Sequence, residues 1–158
     1  MEYVRSSKAR PPLPEGPYLV VGLARSGVAA ARALKAHGKA VFGVDAGEPK
    51  GLELLRESGI DFETSVPGVE RLEGITTVIK SPGVPESAEV ISEARRRGLE
   101  VIGELELGWR MFEAPVVAIT GTNGKTTTTE LTAHLFRASG RPVSAAGNVG
   151  HPVCDVAM

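Results

Sequence analysis

Tyr18-Leu19-Val20-Val21-Gly22-Leu23-Ala24-Arg25-Ser26-Gly27 decides the fold. Tyr18 to Leu23 is an unbroken apolar run, which suits a strand buried on both faces. A glycine loop follows at once. Ser26 is placed to cap a helix carried by Val28, Ala29, Ala31, Ala33, Leu34 and Ala36, and Gly38 is placed to stop it. Strand, glycine turn and helix in that order open a βαβ unit and imply a parallel sheet.

The same alternation continues downstream. Ala40 to Val44 reads as a second strand ending at Asp45, and Lys50 to Ser58 as a short helix closed by Gly59. Ile60 to Phe62 is a short third strand, and Thr76 to Ile79 a fourth that runs into Ser81-Pro82-Gly83. Glu86 to Arg97 is a helix whose terminal arginines suit the negative end of its dipole. Leu99 to Ile102 is a fifth strand. The expectation is an α/β, Rossmann-like parallel sheet with helices on both faces over residues 17–104, preceded by a flexible, proline-rich arm over 1–16.

A second start follows over 105–158. Leu105 to Phe112 reads as a helix anchored by Trp109, and Pro115 breaks it. Val116 to Thr120 is expected to be a buried strand. A glycine loop and a helix from Thr126 to Ala138 come next, and Val143 to Ala146 begins another strand. That is the first βαβ unit of a P-loop domain, too little for an independent α/β domain, which needs three or more strands with a covered face.

Composition narrows the function classes. Among 158 residues, 42% are hydrophobic and 23% charged, which excludes a disordered chain. Eighteen basic residues balance 19 acidic ones, so no global field recruits nucleic acid. No apolar run approaches a membrane span, so no membrane insertion is expected and the cytoplasm is the default location. The single cysteine, Cys154, allows no internal disulfide and reads as a buried apolar side chain. Oligomeric state is not legible.

Two glycine loops carry the chemistry. Gly22 to Gly27 fits Gly-x-Gly-x-x-Gly with Ala24 at the middle glycine. Backbone N–H groups at a helix N-terminus attract phosphate, and Asp45 ends the next strand at about the spacing of a ribose-binding acid. The loop reads as a nucleotide-diphosphate site; an NAD(P)-binding module and a tight βα turn without ligand are the alternatives. The second loop, Gly121-Thr122-Asn123-Gly124-Lys125-Thr126-Thr127, ends in the Gly-Lys-Thr of a phosphate-binding P-loop. The loop is shortened, because Ile119 stands where the first glycine of the longer version falls. Lys125 is the point charge for β/γ-phosphates of ATP, and the Thr126 hydroxyl suits Mg²⁺.

The second loop resembles the ATP loop of the Mur ligases, the cytoplasmic ATP-dependent amide-bond ligases of peptidoglycan synthesis. Other segments are similar to that family in order and spacing: Val20 through Gly27, Lys80-Ser81-Pro82-Gly83-Val84-Pro85, Gly103-Glu104-Leu105-Glu106-Leu107 and Ala146-Gly147-Asn148-Val149-Gly150. Within the family, the Gly-Leu-x-x-Ser-Gly loop with an acid closing the second strand most resembles members that join D-glutamate to UDP-N-acetylmuramoyl-L-alanine; another member of the family is the alternative. The resemblance implies that Arg25 and Ser26 face the diphosphate of the UDP-sugar, Asp45 the uridine, Ser81 and Gly83 the nucleotide, and Asn148 the muramoyl-alanine end. It implies that Gly121, Thr122, Asn123, Gly124, Lys125, Thr126 and Thr127 hold ATP, with Lys125 catalytic and Thr126 on Mg²⁺. The activity implied is activation of a carboxylate to an acyl phosphate that the amine of D-glutamate attacks. It also implies further metal ligands and a third domain that fall outside this sequence. The chain is therefore expected to be the N-terminal part of a three-domain ligase, inactive alone.

Overall fold

Alternation along the central strand divides the core in two. Successive side chains of a strand point to opposite faces of its sheet. Tyr18 and Val20 therefore join one apolar cluster, and Leu19 and Val21 join the other. The computed structural model describes residues 9–147 and 150–158. Its sheet consists of β1 (Tyr18–Val21), β2 (Val41–Val44), β3 (Asp61–Glu63), β4 (Thr77–Lys80) and β5 (Glu100–Gly103). All neighbours are parallel, in the order β3-β2-β1-β4-β5. The sheet and its covering helices are as the sequence predicts.

On one face lie α1 (Arg25–Ala36) and α2 (Glu53–Glu57), which contribute Ala30, Ala33, Leu34 and Leu55 to the cluster containing Tyr18. On the other lies α3 (Glu89–Arg96), whose Val90, Ile91 and Ala94 pack with Leu19, Val44 and Val78. A 3-10 turn at Val69–Leu72, which the sequence pattern does not announce, adds Leu72 to that second face. Full burial of a Leu or Ile side chain stabilises by roughly 1.5–3 kcal/mol, so these two aliphatic layers suffice without aromatic bulk.

Residues 9–16 lie against the amino ends of β1 and β4 and against the helix that follows β5. Thr77 Oγ1 donates to Glu15 O at 2.7 Å, and the Tyr18 hydroxyl donates to Pro14 O. The Arg10 guanidinium stands 5.7 Å over the Trp109 ring.

Helix α4 (Glu104–Met111) follows β5 without a break. It packs on α1 and on α6 (Val153–Val156), a short helix that sequence reading missed. Leu107 and Cys154 are fully buried in the same cluster as Tyr18. A Cβ on Gly108 would lie 2.7 Å from Val153 Cγ1, so glycine there permits the close approach. Glu104 is buried beside them. Its Oε1 accepts the Cys154 N–H at 2.7 Å, and burial pushes its carboxyl above the ordinary carboxylate range. Burial also pushes the Cys154 thiol up, as expected of an inert structural cysteine.

The expected strands at Val116–Thr120 and Val143–Ala146 are not formed. Residues 116–120 are irregular, with Val116 and Val117 48% and 61% exposed. Ala146 makes only an isolated bridge to His151. A strand is held by a neighbour's hydrogen-bond ladder, and among the described residues no second strand lies beside this stretch. The helix between them, α5 (Lys125–Ala138), does form. Ala133 is its one buried residue, and Leu131 and Leu135 are 57% and 60% exposed.

Candidate functional site

The chain runs outward from β1 through β2 to β3, then crosses back to β4. That reversal leaves a crevice beyond the carboxyl ends of β1 and β4, where ligands of doubly wound sheets bind. A cleft of about 680 Å³ occupies the position. Arg25, Ser26, Asp45, Ser81 and Gly83, from three separate turns, all line it, together with Ala24 and Ala46. Val84 of the β4 turn adds apolar wall, and Val66, Pro67, Ala88 and Val90 supply more that the motifs did not mark.

The floor is the first glycine loop. Gly22 has φ +87°, in the left-handed region, and a Cβ there would meet Val84 Cγ2 at 2.6 Å. Gly27 is more constrained still, since an added Cβ would stand 1.8 Å from Gly22 O. Helix α1 can begin this close to β1 only because position 27 carries no side chain. Ser26 does not cap it, contrary to expectation. The N-cap is Ala24, no side chain caps the helix, and Ser26 sits in its first turn at the cleft. The first-turn N–H groups of α1 thus have no side-chain acceptor, which suits a phosphate.

The polar side chains of the cleft are held in defined ways. Asp45 Oδ2 accepts the Leu23 N–H at 2.6 Å, and Oδ1 accepts the Gly47 N–H at 2.8 Å. Ser81, nearly buried, donates its hydroxyl to Gly22 O at 2.6 Å. Lys80 Nζ donates to Val84 O at 2.9 Å and pairs with Glu86 at 3.2 Å, which fixes the Ser81–Val84 turn. Arg25, exposed at the rim, donates to Gly150 O. No spacing rule could have revealed these tertiary bonds.

The second loop stands apart from this cleft. Gly121 (φ +148°) and Gly124 (φ +74°) bend it, and Gly124 is the N-cap of α5. Lys125 Nζ folds back onto the carbonyl oxygens of Gly121, at 2.6 Å, and Thr122, at 3.4 Å. Residues 121–127 are all exposed. Asn148 lies outside the described residues. Among those described, no cluster of His, Cys, Asp or Glu could hold a metal ion, and no helix is long and apolar enough to cross a membrane.

The chain thus combines a parallel sheet that has a glycine turn at its switch point with a Gly-Lys-Thr loop at a helix start. The family model "Mur ligase MurD-like, N-terminal domain" matches residues 17–103, and "Mur ligase middle domain" matches 119–154. The chain belongs to the Mur ligase family. It is 43% identical over 145 residues to the UDP-N-acetylmuramoylalanine--D-glutamate ligase of Rippkaea orientalis, covering 88% of this chain and 32% of that protein. The Caldanaerobacter subterraneus protein of the same name is 41% identical over 150 residues, 92% of this chain and 33% of its own. Among solved structures, the UDP-N-acetylmuramate-alanine ligase MurC of Thermotoga maritima superposes with a TM-score of 0.55 at 26% identity, over 80% of this chain and 30% of that one. A murein peptide ligase of Psychrobacter arcticus, at 23% identity, shares the fold with a TM-score of 0.55, over 78% and 26%. The chain spans about a third of the length of the curated relatives it matches.

Proposed function

We propose that this chain supplies the nucleotide-sugar site and the ATP phosphate loop of a ligase that joins D-glutamate to UDP-N-acetylmuramoyl-L-alanine. The observation that carries it is the switch-point cleft. It gathers Arg25, Ser26, Asp45, Ser81 and Gly83, which the family resemblance had assigned to the UDP-sugar from sequence. The relatives named for that reaction match most of the chain. Residues 17–104 are the substrate-binding unit, and 105–158 bring the start of the ATP-binding unit. The cytoplasm is the compartment where both nucleotides are available.

Each end of the cleft suits one part of the ligand. The start of α1, with Arg25 and Ser26, offers N–H donors and a cation to a diphosphate. Asp45 and Ala46 close the nucleoside end. Ala46, Val66 and Pro67 give this end an apolar wall. Ser81 and Gly83 border the nucleotide from the β4 side. Asn148 is assigned to the muramoyl-alanine end.

The second loop fits the phosphates of ATP. Its two left-handed glycines turn the backbone into the N-terminus of a 14-residue helix, and the Lys125 ammonium rests on carbonyls that a phosphate can replace. Gly121 to Thr127 would cradle the phosphates, Lys125 would balance their charge, and the Thr126 hydroxyl would bind Mg²⁺. Held there, ATP with Mg²⁺ would supply the activation of the substrate carboxylate for attack by the D-glutamate amine. This chain's residues orient and neutralise.

Calorimetric titration tests the reading. UDP-N-acetylmuramoyl-L-alanine and UDP are expected to bind one site and compete with each other. Binding of NAD that UDP cannot displace would replace this reading with a dinucleotide module.

A further inference from the structure

Two cleft side chains point back at the loop they face. Asp45 Oδ2 takes the Leu23 N–H at 2.6 Å, and Ser81 Oγ gives its proton to Gly22 O at 2.6 Å. The two anchors follow strands on opposite sides of β1, since Asp45 comes directly after β2 and Ser81 directly after β4. They grip adjacent residues of one turn, one on its carbonyl and one on its amide. Asp45 is further fixed by the Gly47 N–H on its other oxygen. Ser81 is 4% exposed, and its Oγ would lie 2.8 Å from a Cβ on Gly27. The turn, the α1 start and the β4 end thus meet with no space to spare.

We propose that Asp45 and Ser81 are positioning residues: a two-sided brace that holds the Gly22–Leu23 turn in the shape that presents the α1 amides to a diphosphate. This rests on the reading of the cleft as a UDP-sugar site. It gives Asp45 a different role from a contact to the nucleoside. Gly22, at φ +87°, has negative-φ alternatives of similar energy in an unbraced chain. Binding weakens when the donors must first be ordered, because the ligand then supplies the ordering free energy. The brace should therefore matter for the phosphates and little for the nucleoside.

The test uses the whole chain and two probes, UMP and UDP, with affinities read by calorimetry. Their ratio is the gain contributed by the second phosphate. Asp45→Ala is expected to weaken UDP by about tenfold or more, as loss of a charged hydrogen bond does, and to shrink the UDP/UMP ratio towards one. Ser81→Ala is expected to shrink the same ratio by a smaller factor, since its bond is neutral. If Asp45→Ala weakens UMP and UDP by the same factor, Asp45 contacts the nucleoside directly and the brace is overturned. Should Asp45→Ala not fold, Asp45→Asn is read by the same criterion, because a neutral amide oxygen replaces the carboxylate at unchanged size. If the unmodified chain binds neither probe, the reading of the cleft fails. The brace is then read from hydrogen exchange of the Leu23 amide, which Asp45→Asn must accelerate; unchanged exchange contradicts it.

Discussion

Residues 18–36 and 116–138 read alike: an apolar run, a glycine loop, then a helix. Only the first becomes a packed βα unit. Tyr18 to Val21 are ladder-paired on both sides, by β2 and β4, and α1 buries seven residues. Val116 and Val117 have no ladder among the described residues, and α5 buries one. The difference is supply of neighbours, not local propensity. A helix satisfies its backbone hydrogen bonds within its own segment, whereas a strand needs a neighbour to do so.

Equal truncations in the two helices break or sharpen that contrast most. Leu34→Ala, in the buried face of α1, is expected to cost about 2–5 kcal/mol, and Leu135→Ala, on exposed α5, less than about 0.5 kcal/mol. Urea denaturation followed by circular dichroism measures both. Comparable losses would show that α5 is packed in solution.

The two loops should differ next. Gly27→Ala drives a methyl into Gly22 O, so about 3 kcal/mol or more is expected, together with loss of UDP binding. Gly124→Ala meets open space and carries only the left-handed backbone penalty, about 1–2 kcal/mol. Thermal unfolding with and without UDP separates the two; an equal cost at both positions would remove the steric argument for Gly27.

A smaller effect concerns Glu104, which joins α4 to α6. Its carboxyl is raised in the folded state, chiefly by burial and against the hydrogen bond from the Cys154 N–H. Its contribution to stability is therefore full below the unfolded carboxylate pKa and lost as pH rises through the raised folded value. Glu104→Gln cannot titrate. The stability of the parent relative to this variant is expected to fall as pH is raised from about 4 towards neutrality. A difference that is flat with pH would contradict a buried, raised carboxyl.

The sheet was legible because its strands are continuous apolar runs and its turns are punctuated by glycine. Element edges were less so. The run to Leu23 suggests a longer strand than Tyr18–Val21, because periodicity does not register that Gly22 turns at positive φ. Ser26 reads as a cap, yet the N-cap is Ala24, two residues earlier, and no side chain caps the helix. Membership of the cleft was legible for Arg25, Ser26, Asp45, Ser81 and Gly83. The bonds of Asp45 and Ser81 to the Gly22–Leu23 turn were not, because they join residues 22 and 59 positions apart in sequence. The pattern at 116–120 is that of a strand, but the ladder it lacks among the described residues is a tertiary matter.

The most direct measurement is a residue-resolved amide titration of this chain with UDP-N-acetylmuramoyl-L-alanine. Saturable shifts are expected at Gly22 to Gly27, Asp45 and Ala46, and Ser81 to Gly83, with residues 121–127 unmoved until ATP and Mg²⁺ are added. No shift at the first loop at millimolar ligand, or shifts confined to 121–127, would contradict the assignment of the switch-point cleft to the nucleotide sugar.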